Sequence, residues 1–272
     1  MPPLHRIVAA ADFTDLSAGA LRYADAIARQ AHAQLTVVYA QSFTPPAYFT
    51  RSQVTHLVDW MRSQSLEVET RLREFTDRHI GSGERDYLVI EGTPAEVILD
   101  SAKQLNAGLI VQGTHARSGV ERWFLGSVAE HVLAAAEIPV LTVRGGGETM
   151  AIRNILCPVT GDAPQLSHAI QIARYFQAAV EVLRVEEPGH ALAGDPCAAL
   201  SAEERAGCAI RQVVRKGDAA KQILSHASES GCDLLVIGAR RHRMTDTSML
   251  GTTTYQVVRL APCPVLMVPL PV

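Results

Sequence analysis

Gly113, Gly126 and Ser127 are the residues of this chain whose types and spacing best suit binding chemistry. Gly113 follows a short apolar run, 108–112, that reads as a buried parallel strand, and Ser127 opens a helix. Strand, glycine-containing loop and helix N-terminus, in that order, bring free backbone N–H groups and the positive end of a helix dipole to one place. That arrangement can hold a phosphate. Ser127 is placed as the N-cap of its helix, with Glu130 as capping-box partner. Two glycines at this distance say little alone, but Gly238, Gly251 and Thr252 repeat the spacing later in the chain. Asp12, directly after the apolar run 6–11, reads either as an Asx-turn or N-cap residue or as an acceptor for a ligand.

Other chemistries find less support. No Gly-x4-Gly-Lys-Ser/Thr loop is present, and no carboxylate pair is obviously placed for Mg²⁺. No Ser-His-Asp arrangement has convincing spacing. Cys197 and Cys208 share a variable stretch with His190 and Asp195, where a loosely spaced zinc or redox site competes with a plain loop. Cys157, Cys232 and Cys263 fall on or beside expected strands and read as small buried apolar residues.

The elements that must position these residues alternate. Strands are expected at 6–11, 35–40, 86–91, 108–112 and 140–144, with a helix at 16–31 and another after Gly92-Thr93-Pro94, where proline suits the first turn. Val54, Leu57, Met61, Val68, Leu72 and Phe75 mark a longer helix whose stripe faces either the core or a partner. Such alternation implies a parallel sheet covered on both faces. After a glycine-rich linker at 145–151 the pattern restarts at Asn154. Gly92 matches Gly217, Gly113 matches Gly238, and Ile138-Pro139-Val140-Leu141 matches Cys263-Pro264-Val265-Leu266 at one constant offset. All slippage falls in loops, so a whole unit is duplicated: 1–144 and 152–272. Each unit would end in an apolar strand that needs a neighbour, so the two final strands are expected to pair as an intramolecular pseudo-dimer.

Composition narrows the class further. The chain has 272 residues, 47% of them hydrophobic, and a formal net charge of −3. It shows no basic run suited to nucleic acid and no apolar run long enough for a membrane span. Strand-like sequence begins almost at once, leaving no room for a signal peptide. Five cysteines without a Cys-x-x-Cys pair suit a reduced, cytoplasmic compartment.

Asp12-Phe13-Thr14, Glu91-Gly92-Thr93-Pro94-Ala95, Gly113-x2-Ala116-x9-Gly126-Ser127 and Ile138-Pro139-Val140, in this order, resemble the universal stress protein family. The resemblance covers both halves, so the chain looks like a tandem member. It implies two doubly wound, Rossmann-like α/β domains, each with a five-stranded parallel sheet. It also implies adenine nucleotide, ATP or AMP, with or without Mg²⁺, at the carboxyl ends of the strands. The residues that would hold it are Ala10, Ala11, Asp12, Ala40, Gly113, His115, Ala116, Gly126, Ser127 and Val128. Asp12 would meet the adenosine end, Ala40 would leave room for a flat base, and the loop would meet the phosphates; His115 reads equally as an exposed loop residue. Ala116 stands where the family has glycine, at a cost of about 1 kcal/mol if its φ must be positive. In the second half Thr160 replaces Asp12 and Arg241 stands at the middle glycine, either filling the pocket or gripping a phosphate. The reading favoured is a degenerate, mainly structural second site and a regulatory nucleotide-binding protein of the stress response. The alternatives are a ligand-free tandem scaffold, or a slow ATPase with Asp12 as base or metal ligand. Protein partners and homodimerisation stay open.

Overall fold

A computed structural model describes residues 3–41, 51–114, 125–144, 151–161, 163–188, 194–198, 200–205, 208–240 and 250–270, with the backbone alone for 51–64. Five strands come from the first half: β1 (Arg6–Ala10), β2 (Gln34–Gln41), β3 (Asp86–Glu91), β4 (Leu109–Gly113) and β5 (Val140–Val143). They alternate with α1 (Asp15–Ala31), α2 (Arg51–Ile80), α3 (Pro94–Gln104) and α4 (Ser127–Ala135). The second half gives β6 (Asn154–Val159), α5 (Gln165–Phe176), β7 (Ala179–Glu186), α6 (Ala202–Arg205) and β8 (Ile210–Lys216). It closes with α7 (Ala219–Ser230), β9 (Leu234–Arg240), α8 (Thr252–Leu260) and β10 (Val265–Leu270). The thirty-residue α2 has only the four-residue α6 as its counterpart. Among the described residues, then, the two halves differ between their second and third strands in a helix and not in loops alone.

All the strands join one ten-stranded sheet in the order β3-β2-β1-β4-β5-β10-β9-β6-β7-β8. Each half has the same doubly wound order, and every pairing is parallel except the seam, where β5 meets β10 antiparallel. Val140 faces Met267, Leu141 faces Leu266 and Thr142 faces Val265. Arg144 adds a guanidinium hydrogen bond to the Arg259 carbonyl across the seam. Each half's apolar final strand thus covers the other's open edge.

The strands are runs of Val, Ile, Leu and Ala because both faces are covered by helices, as parallel sheets require. One core cluster lies on the α1 and α5 face and another on the α3, α4, α7 and α8 face, and both cross the seam. Helix α1 packs close to the sheet because Ala18, Ala20, Ala24 and Ala28 line its buried side. Its N-cap is Thr14, whose hydroxyl accepts from the Ser17 N–H at 3.2 Å. Of the long helix's stripe, Leu72 and Phe75 reach the core and Val68 is half-buried, while the side chains of Val54, Leu57 and Met61 lie outside the description. The linker expected at 145–151 lies, apart from Ala151, outside the described residues.

Candidate nucleotide site

Strand order reverses between β1 and β4, and ligands of open α/β sheets sit at that point beyond the strand carboxyl ends. A cavity of about 560 Å³ lies there. Its walls come from the ends of β1, β2 and β4 and from the first turns of α1, α3 and α4, so three helix N-termini border one space. Their dipoles make it favourable to negative charge.

The β1–α1 turn forms one wall. The Asp12 carboxylate accepts hydrogen bonds from the Thr14 N–H at 3.1 Å and the Thr14 hydroxyl at 2.5 Å. The Asp12 N–H donates to the Ser17 hydroxyl at 3.3 Å, and that hydroxyl donates to the Thr14 carbonyl at 2.9 Å. The Asx-turn reading of Asp12 is therefore correct, and the side chain is at the same time exposed on the cavity wall. Between these two residues Phe13 takes φ 61°, in the left-handed region. Such a conformation costs a non-glycine residue on the order of 1–3 kcal/mol and persists only where surrounding structure imposes it. Here the Phe13 ring is held by Tyr39 at 4.9 Å and Phe75 at 5.5 Å, with the Arg71 guanidinium 5.3 Å from its centre. Helix α2 thus helps to set the loop that presents Asp12.

The opposite wall is the start of α4, and here the expected capping box is corrected. Gly126 is the N-cap, with φ −63° and ψ 147°, Ser127 is the first helical residue, and no side chain caps the helix. The first bond back to the cap runs from the Glu130 N–H to the Gly126 carbonyl at 2.9 Å. The N–H groups of Ser127, Val128 and Ala129 precede it and have no acceptor within the helix. The glycine cap has no side chain to fold over this end, and among the described residues Ser127 and Val128 are both exposed.

Of the residues expected at the site, Ala10, Ala11, Asp12, Ala40, Gly113, Gly126, Ser127 and Val128 all line the cavity. His115 and Ala116 lie outside the described residues, as do Arg117 and Arg241. The sequence reading missed Gln112. It is buried beside Gly113, donates to the Ala129 carbonyl at 3.2 Å, and its own amide oxygen has no partner among the described residues. A polar residue closing an otherwise apolar strand was the available signal. Gly113 is needed for close approach: a Cβ there would lie 2.8 Å from the Leu16 carbonyl carbon and oxygen.

At the equivalent end of the second half, two side chains of the described residues come up to the glycine. A Cβ on Gly238 would meet Leu270 Cδ1 at 2.8 Å and Gln165 Oε1 at 3.1 Å. The Gln165 amide is buried and donates to the Pro158 carbonyl at 3.0 Å. β10 continues to Leu270 whereas β5 ends at Val143, which brings Leu270 over the glycine. Leu270 and Gln165 thus pack against Gly238, whereas Arg241, to which the sequence reading gave the filling, lies outside the described residues. Thr252, like Ser127, is a first helical residue behind a glycine cap. The variable stretch gives Cys197 to the core, with Cys208 packed against it. Among the described residues no cluster of three or more His, Cys, Asp or Glu is placed to hold a metal ion. No described helix is long and apolar enough to cross a membrane.

The order of strands and the cavity at their reversal define a doubly wound α/β protein present in two copies. A model of the Universal stress protein family matches residues 3–144 and 189–269, and the chain belongs to that family. A universal stress protein of Methanocaldococcus jannaschii is 32% identical over 143 residues, 51% of this chain and 81% of its own length. One from Thermus aquaticus is 34% identical over 138 residues, 51% of this chain and 97% of its own. Among solved structures, a universal stress protein from Archaeoglobus fulgidus superposes with a TM-score of 0.72 at 20% identity. That match covers 97% of this chain and 98% of the other, so the likeness extends to the tandem arrangement of the fold.

Proposed function

We propose that this chain binds one adenine nucleotide, ATP or AMP, in the unit 1–144, and that occupancy adjusts its conformation or its choice of partner in a stress response. The unit 152–272 is a degenerate copy with a structural role. The observation that carries the reading is the cavity of about 560 Å³, with the Asp12 turn on one side and the glycine-capped start of α4 on the other. Its size falls in the range of small-molecule sites. Ala10, Ala40 and Asp12 line it: the two alanines would leave room for a flat base, and Asp12 would accept from the adenosine end. Gly126, Ser127 and Val128 would meet the phosphates with backbone N–H groups and the Ser127 hydroxyl, while Gly113, His115 and Ala116 complete the loop. Asp12 is the only carboxylate on the described cavity wall, so the site is suited to holding charge rather than to activating water.

Calorimetry with ATP and with AMP tests this reading, and a stoichiometry near one per chain is expected. A hydrogen bond to a charged group is worth about 1.5–3 kcal/mol, or roughly tenfold to a hundredfold in affinity. Asp12→Ala should weaken binding by that factor, Ser127→Ala by less, and Thr252→Ala not at all. Loss of binding in Thr252→Ala with Asp12→Ala unaffected would place the site in the other half.

A further inference from the structure

We propose that Cys232 and Cys263 form a paired oxidation site, which a peroxide converts into an intramolecular disulfide stapling the base of β9 to the base of β10. The inference is independent of the nucleotide reading, because neither cysteine lines the cavity; the pair lies at the amino ends of β9 and β10, which the antiparallel seam separates from β1 and β4.

The two cysteines are thirty-one positions apart in sequence, yet their Sγ atoms are 3.4 Å apart. Both side chains are buried. Cys232 follows Gly231, the left-handed C-cap of α7, and Cys263 lies in the turn between α8 and β10. Backbone hydrogen bonds hold both turns. The Leu235 N–H donates to the Pro264 carbonyl at 3.0 Å, and the Asp233 carboxylate accepts from the Arg153 and Asn154 N–H groups at 2.8 and 2.9 Å. A disulfide needs its sulfurs at about 2.05 Å, so closure asks for a movement of little more than an ångström between turns that already touch.

The duplicated half supplies an internal comparison. Ala107 and Ile138 occupy the matching positions. The backbone around them is the same: Ala107 N–H bonds the Ala102 carbonyl as Cys232 N–H bonds that of Ala227, and Ile110 N–H bonds the Pro139 carbonyl as Leu235 N–H bonds that of Pro264. Two ordinary apolar side chains therefore suffice to build this corner. The sulfurs are additional to what the fold requires, and they are in contact.

The chemistry balances with hydrogen peroxide as oxidant. One sulfur attacks a peroxide oxygen, the O–O bond breaks, and a sulfenic acid and water result. The second sulfur then displaces the sulfenic oxygen as water and the S–S bond forms. Two thiols lose two electrons and two protons, and one peroxide becomes two waters. Reactivity is restrained in the closed protein. The contact with Cys232 and burial push the Cys263 thiol above the ordinary thiol range, and the thiolate is the attacking species. Oxidation should therefore be slow in the native state and faster when the second half loosens, so that the bond forms under heat or denaturing stress combined with peroxide.

The test is to expose the full-length protein to hydrogen peroxide with and without urea below its unfolding transition, then to denature it in alkylating agent and map it without reduction. The expected result is a Cys232–Cys263 cross-linked peptide and the loss of two alkylatable thiols. Formation should be faster in urea and reversed by dithiothreitol. The oxidised protein should melt several degrees higher, since the bond constrains the unfolded chain. Cys232→Ser should abolish the cross-link and the shift, whereas Cys208→Ser should leave both. Cys232 and Cys263 remaining fully alkylatable while Cys208 is oxidised would overturn the proposal, as would a cross-link between any other pair or an oxidised form that melts no higher.

Discussion

Replacing Gly113 with alanine puts one methyl group where β4 passes the first turn of α1. The new Cβ would lie 2.8 Å from the carbonyl carbon and oxygen of Leu16 and 3.1 Å from the Ser17 nitrogen. All three are backbone atoms, so no side chain can swing aside, and α1 must shift away from the sheet by several tenths of an ångström. Overpacking of this kind costs about 1–3 kcal/mol. Alanine also reduces the freedom of the unfolded chain, which returns about 0.4–1 kcal/mol. The net loss is then on the order of 1–2 kcal/mol, or roughly 2–8 °C in melting temperature for a unit of this size. Leu16 and Ser17 line the cavity together with Asp12 and Thr14, so ATP affinity should fall with stability. Gly238→Ala is the control: its Cβ would meet Leu270 Cδ1 and Gln165 Oε1, both ends of side chains that can rotate. Urea titration and calorimetry on both variants read the difference. A Gly113→Ala protein that keeps wild-type stability and ATP affinity would refute the close-approach argument, and so would a costlier Gly238→Ala.

Three further outcomes follow from the same geometry. Phosphate release with ATP and Mg²⁺ should run far below the enzyme median of roughly 10 s⁻¹, because Asp12 is the sole carboxylate of the described wall; turnover near that median would make the protein an enzyme. Residues 1–144 expressed alone should be unstable or self-associating, since β5 would lose β10 and bare Leu141; a soluble monomer as stable as the whole chain would show the seam to be dispensable. Hydrogen bonds from Arg215 and then Ser225 push the exposed Glu229 carboxyl down to about 2, below its unfolded value near 4.3. Its contribution is therefore present above the unfolded value and lost as pH falls through about 2. The melting-temperature gap between wild type and Glu229→Gln should be small at pH 7, narrow towards pH 2, and shrink with added salt.

Much of this protein was legible in the chain itself. Period and composition determined the alternating strands and helices, because a strand covered on both faces must be apolar throughout, as in Leu109-Ile110-Val111. Duplication was visible as collinear landmarks, and an apolar final strand in each half required a partner, which the β5–β10 seam supplies. The glycines and Asp12 marked the right end of the sheet because loop chemistry is local: a turn residue follows its strand whatever the rest of the fold does. Only tertiary structure decided the remainder. Whether Ser127 caps its helix or begins it depends on backbone angles at Gly126, and both settings fit the same residues. Phe13 is held left-handed by Tyr39 and by Phe75 of a distant helix, a long-range constraint that its own neighbourhood does not encode. In the second half Leu270 and Gln165, about a hundred residues apart, meet over Gly238. Contacts of that kind depend on how far one strand runs past its neighbour, which periodicity cannot report because it describes each element alone.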